Sequence, residues 1–99
     1  MKLTENRDGN NIEIMVEGRV DTTTSASLQQ AILVAFQKCS QVALNVEKVD
    51  YISSAGLRAL LIGQKTANSK GGNMTLRKVQ PAVMEVLKMS GFSTILQIE

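Results

Sequence analysis

The sequence predicts one α/β domain on a mostly parallel mixed sheet, in the order β-β-α-β-α-β-α-β. Three observations point there. Residues 12–17 alternate apolar and polar with period two, the pattern of a half-buried strand. Short apolar runs at 42–46 and 74–76 are separated by stretches whose apolar residues recur with the helical period. Glycine or proline punctuates five of the seven junctions. Strands alternating with helices imply right-handed crossovers and parallel pairing, leaving the first strand antiparallel at one end.

Ile12-Glu13-Ile14-Met15-Val16-Glu17 carries the alternation, with Met15 the one apolar residue on the polar side. Asp8-Gly9-Asn10 supplies turn chemistry, because Gly and Asn tolerate positive φ. Lys2–Asn6 is thereby expected as an antiparallel first strand, and Gly18 closes the second. Thr22-Thr23-Thr24-Ser25 offers several hydroxyls to cap a helix. Leu28, Ala31, Ile32, Ala35 and Phe36 then form its apolar face. Leu33 and Val34 widen that stripe, either through burial by neighbouring helices or as a surface for a partner. Val42-Ala43-Leu44-Asn45-Val46 reads as a strand buried in a parallel sheet.

A second helix is expected from Ser54 to Lys70, with Leu57, Leu60, Leu61 and the stem of Gln64 on one face. Gly71-Gly72 ends it by supplying a left-handed residue. Met74-Thr75-Leu76 is the next strand. Pro81 opens a third helix, where proline is tolerated in the first turn. Val83, Val86 and Leu87 form its stripe, Gly91 ends it, and Thr94–Ile98 is the last strand. The expected core is Leu28, Ile32, Phe36, Val42, Leu44, Val46, Leu57, Leu60, Leu61, Leu76, Val83, Leu87 and Ile95. No linker, repeat or low-complexity tract interrupts residues 1–99, which are expected to be one domain.

Composition narrows the chemistry. At 43% hydrophobic and 20% charged, the 99-residue chain has a globular mix and enough length to fold without a staple. It has no histidine, so Ser-His-Asp and Cys-His catalysis and histidine metal sites are excluded. Cys39 is alone, which excludes an intrachain disulfide and a thiolate cage and fits a reducing cytoplasm. Neither a metal nor a cofactor is expected. The net charge of +2 argues against a nucleic-acid binder. No run of about 18 apolar residues offers a membrane span. The polar Met1–Asn6 start does not read as a signal peptide.

The informative segment is Val49-Asp50-Tyr51-Ile52-Ser53-Ser54-Ala55-Gly56-Leu57. It places two serines where a helix begins beyond a buried strand. That is the carboxyl end of a parallel sheet, where open α/β folds keep functional groups. Either serine can be an N-cap. Glycine costs about 1 kcal/mol within a helix, and Gly56 is tolerable in the first turn if something must approach its backbone closely.

Asp50-Tyr51-Ile52-Ser53-Ser54-Ala55-Gly56-Leu57 resembles the signature of STAS domains, specifically bacterial anti-sigma factor antagonists. Gly18-Arg19-Val20-Asp21, Lys70-Gly71-Gly72-Asn73-Met74 and Pro81-Ala82-Val83 through Ser90-Gly91-Phe92 are similar to further family stretches in the same order. The resemblance spans nearly the whole chain. It implies a non-enzymatic partner switch, cytoplasmic and without membrane insertion. The unphosphorylated antagonist binds a GHKL-type serine kinase that doubles as anti-sigma factor. Phosphorylation then releases it, and a PP2C-type phosphatase resets it. The family's hydroxyl lies two residues before the signature glycine, here Ser54, with Ser53 the alternative. Ser53 stands where the family often has Asp, which removes a charge and adds a second acceptor. The implied binding rim is Asp21, Thr22, Ser53, Ser54, Gly56, Leu57 and Arg58, with Asp21 either a repelling carboxylate or a cap for the first helix.

Two other readings remain open at this point. One keeps the fold as a STAS accessory subunit of a lipid-transport ABC system or as a stress-signalling scaffold. The other makes Ser54 a nucleophile with Lys48 or Lys65 as base, although no spacing favours either lysine.

Overall fold

In the computed structural model, which describes residues 1–99, the alternation resolves into a hairpin. β1 (Lys2–Asp8) pairs antiparallel with β2 (Asn11–Glu17) through the Gly9-Asn10 turn. Ile12, Ile14 and Val16 are buried on one side of the sheet, and Asn11, Glu13 and Met15 face the other. β3 (Gln41–Lys48), β4 (Asn73–Arg77) and β5 (Gln97–Ile98) follow in parallel, and spatial order matches chain order, β1-β2-β3-β4-β5.

Right-handed crossovers between consecutive neighbours all return over the same side of a sheet. Accordingly α1 (Ser25–Lys38), α2 (Ser54–Ser69) and α3 (Pro81–Met89) share one face. Their inward residues merge with the strands' into one core, including Leu28, Ile32, Phe36, Leu44, Leu60, Leu76, Val83 and Leu87. No helix is long and apolar enough to cross a membrane. The opposite face is polar and open. There Glu13 Oε2 accepts from Asn45 Nδ2 and Arg77 Nη1, both at 3.4 Å, and Arg77 Nε lies 3.3 Å from Glu99. Glu13, Arg77 and Glu99 border a shallow groove of about 430 Å³ over Ala43.

The structure corrects four local expectations. Leu61 is only half-buried, because α2 turns Leu57, Leu60, Gln64 and Ala67 inward and leaves Leu61 on its flank. Ile95 is 50% exposed and Leu96 is buried in its place. The cause is Gly91, whose φ of 80° leads into a 3-10 turn at Phe92–Thr94. That turn rotates the chain, and the last strand begins only at Gln97 rather than Thr94. No hydroxyl caps α1: Thr24 occupies the cap position without a side-chain cap bond. Leu33 and Val34, the widened part of its stripe, are half-buried. Gly71, at φ 67°, does follow α2 as the left-handed residue.

Candidate functional site

Two βα connections meet at the carboxyl end of the sheet. The parallel register shifts between Met15 and Glu17, so β2 bends before its exit, and the Gly18 N–H donates to Lys48 O at 3.0 Å. Beyond the sheet the connections continue as a two-residue ladder. Val20 N–H donates to Tyr51 O (3.0 Å), and Ser53 N–H donates to Val20 O (2.8 Å). Val20 and Ile52 are the bridged pair, and both are buried. Alternation along extended backbone then turns their neighbours, Arg19 and Asp21 on one side and Tyr51 and Ser53 on the other, outward onto a shared rim.

Asp21 organises the first connection. Its Oδ1 accepts from the Thr23 hydroxyl (2.7 Å) and N–H (2.9 Å), and from the Thr24 N–H (3.1 Å) and hydroxyl (3.2 Å). These donors, the Thr23 hydroxyl foremost, hold its carboxyl below the ordinary value of 3.8 against a smaller opposing effect of desolvation. These bonds tie the Asp21–Thr24 turn that leads into α1, and no side chain caps the helix itself. Thr22 stands exposed beside it.

The two serines separate by geometry. Ser53 is the N-cap of α2, in extended conformation, and its Oγ accepts the Gly56 N–H at 3.2 Å. Ser54 is the first helical residue, exposed, with its hydroxyl free of intramolecular hydrogen bonds. It sits where free N–H groups and the helix dipole favour a negative charge. Arg58, one turn further along α2, is also exposed. The Val20–Ile52 bridge brings half-buried Asp21 and Ser53 alongside each other, with Thr22 and Ser54 exposed next to them and Arg58 exposed one turn along α2.

Gly56 and Leu57 do not join them. Both are buried. A Cβ on Gly56 would stand 2.7 Å from Ile52 Cγ1 and 2.8 Å from Val20 Cγ1. The glycine therefore lets α2 settle onto the Val20–Ile52 bridge, and what approaches it is the protein's own core rather than a partner. Leu57, 8% exposed, packs into the same core. The residue pattern also passed over two rim residues. Tyr51, the chain's one tyrosine, is 41% exposed, and the Arg19 guanidinium lies 4.1 Å from its ring centroid. An exposed aromatic inside the signature was the available signal.

Known proteins share this sequence family and this fold. The family described as "Mlab, STAS domain" matches residues 3–97, and the chain belongs to that STAS-domain family. Among its relatives, a Bordetella bronchiseptica protein provisionally named anti-sigma factor antagonist BtrV is 31% identical over 99 residues, 99% of this chain and 85% of the relative. The anti-sigma F factor antagonist of Paenibacillus polymyxa is 31% identical over 87 residues, 86% of this chain and 74% of the relative. The fold is shared with the anti-sigma factor antagonist SpoIIAA. Its unphosphorylated form superposes with a TM-score of 0.83 at 19% identity, covering 99% of this chain and 88% of SpoIIAA. The phosphorylated form, from Bacillus, gives 0.76 at 18%, covering 99% and 91%.

Proposed function

We propose that this chain is a non-catalytic anti-sigma factor antagonist, with residues 1–99 acting as one STAS domain in the cytoplasm. Its unphosphorylated form binds a GHKL-type serine kinase that is also the anti-sigma factor, and thereby frees that protein's target. Phosphorylation at Ser54 ends the complex, and a PP2C-type phosphatase restores it. The observation that carries the reading is the division of labour between the serines. Ser53 Oγ is engaged with the Gly56 N–H, whereas the Ser54 hydroxyl is exposed and free at the head of α2.

A phosphate brings about −1.5 to −2 charges and three acceptor oxygens. At the first helical position it meets the positive end of the dipole, so the helix tolerates it. Its effect falls instead on whatever docks against the rim, through bulk, desolvation and charge. Relatives bearing the name anti-sigma factor antagonist support the partner class.

The test is incubation with the cognate kinase and ATP, followed by tandem mass spectrometry. Phosphate on Ser54 is expected, with Ser54→Ala binding the kinase yet resisting modification and Ser54→Asp binding it weakly. Phosphate on Ser53, or on neither serine, overturns the assignment.

A further inference from the structure

The rim holds one arrangement that the switch as described leaves unused. Arg19 and Tyr51 flank the buried Val20–Ile52 bridge and are held outward by it. The Arg19 guanidinium carbon lies over the Tyr51 ring, 4.1 Å from its centroid. It donates no hydrogen bond within the protein, and its nearest carboxylate, Asp21 Oδ2, is 3.9 Å away. Stacking fixes the position of an otherwise flexible side chain while leaving its planar donor fork open to solvent. Tyr and Arg are also the residue types over-represented among the few side chains that dominate binding energy at interfaces.

Charge on the rim is distributed unevenly in its availability. Asp21 Oδ1 already accepts four hydrogen bonds from Thr23 and Thr24. Asp50, next to Tyr51, is an exposed carboxylate. Arg19 and Arg58 are exposed guanidiniums without a hydrogen-bonded carboxylate of their own. An incoming group that matches an open guanidinium fork is a carboxylate, which it binds in bidentate fashion.

We infer that Arg19, stacked on Tyr51, anchors the partner by gripping an acidic side chain on the partner's docking segment. The inference rests on the partner-switch reading and specifies the chemistry of its partner. It also accounts for the direction of the switch. An anion added at Ser54 on the same rim competes for the guanidiniums and repels a partner that presents carboxylates. The same anion would hold a partner that presents arginines or lysines.

The experiment uses the full chain and the anti-sigma factor that co-purifies with it, with Kd read by isothermal titration calorimetry. Arg19→Ala and Tyr51→Ala should each weaken binding about tenfold or more, and Arg19→Glu further still. Tyr51→Phe keeps the ring and should bind within about twofold of the parent. Added salt should weaken the parent complex more steeply than the Arg19→Ala complex. Thermal melts confirm that each variant is folded. Unchanged Kd in Arg19→Ala and Tyr51→Ala, or tighter binding by Arg19→Glu, overturns the anchor while the partner switch stands. Absence of any complex with the unaltered chain overturns both.

Discussion

Asp21 and Thr24 bond each other reciprocally. The Asp21 N–H donates to Thr24 Oγ1 at 2.9 Å, and the Thr24 N–H donates to Asp21 Oδ1 at 3.1 Å. The pair thereby closes the turn that precedes α1 rather than capping the helix itself, and it fixes the outward rim beside Ser53.

This pairing has a pH signature. The folded carboxyl titrates below its ordinary value of 3.8. The unfolded chain therefore binds the proton more readily, and the stabilisation is complete above the unfolded value. It is lost as pH falls below 3.8 through the lower folded value. Asp21→Ala should lower the urea midpoint at pH 7, and its deficit against the parent should shrink as pH approaches 2. A deficit independent of pH would show that the carboxylate charge plays no part.

The serines should separate in stability as they do in geometry. Ser53→Ala removes the acceptor for the Gly56 N–H and should cost about 1 kcal/mol in urea unfolding. Ser54→Ala touches no hydrogen bond and should stay within about 0.5 kcal/mol of the parent. Equal losses would mean that both hydroxyls cap α2.

Gly56 gives the sharpest difference between the residue pattern and the packing. Its place beside the serines suggested a partner-facing glycine, so that a bulky substitution would weaken binding with the fold intact. The side chains of Val20 and Ile52 fill that space instead. Gly56→Val should destabilise by about 1–3 kcal/mol through overpacking. A variant as stable as the parent would require α2 to lift off the bridge at no cost.

Core truncations should follow burial rather than periodicity alone. Phe36→Ala and Leu60→Ala should each cost about 2–5 kcal/mol, whereas Leu61→Ala should cost clearly less. Chemical denaturation of the three variants measures the order, and Leu61 equal to Leu60 would contradict the half-buried flank.

Gln64 offers a gain. It is 7% exposed; its Nε2 donates to Asn68 Oδ1 at 3.0 Å, but its Oε1 is buried without a partner. An unsatisfied buried acceptor costs about 1–3 kcal/mol. Gln64→Leu should therefore match or exceed the parent's stability by up to about 1 kcal/mol in the same assay. A clear loss would show that the Asn68 bond outweighs the orphaned oxygen.

The element order and sheet were legible because period two and period 3.6 do not resemble each other, as Ile12–Glu17 and Leu28–Phe36 illustrate. What escaped was everything decided by relative rotation. The 3-10 turn after Gly91 moves burial from Ile95 to Leu96, which no local periodicity reports. The serine pair was visible as a pair, but which hydroxyl caps depends on where α2 begins, a one-residue question. Gly56 was visibly unusual, yet a glycine in sequence does not say from which side its neighbour comes. The Arg19–Tyr51 stack joins residues 32 positions apart, and only the Val20–Ile52 bridge brings them together.

Because spatial strand order equals chain order, no strand has to enter between two already in place. Each βα unit closes against the one made just before it, so loop-closure entropy is lost in short, similar instalments. Such local connectivity favours rapid folding. A chain leaving the ribosome could add β3, β4 and β5 in turn to the edge of the existing sheet. The rim would then be complete once α2 has formed, before the C-terminal third of the chain is in place.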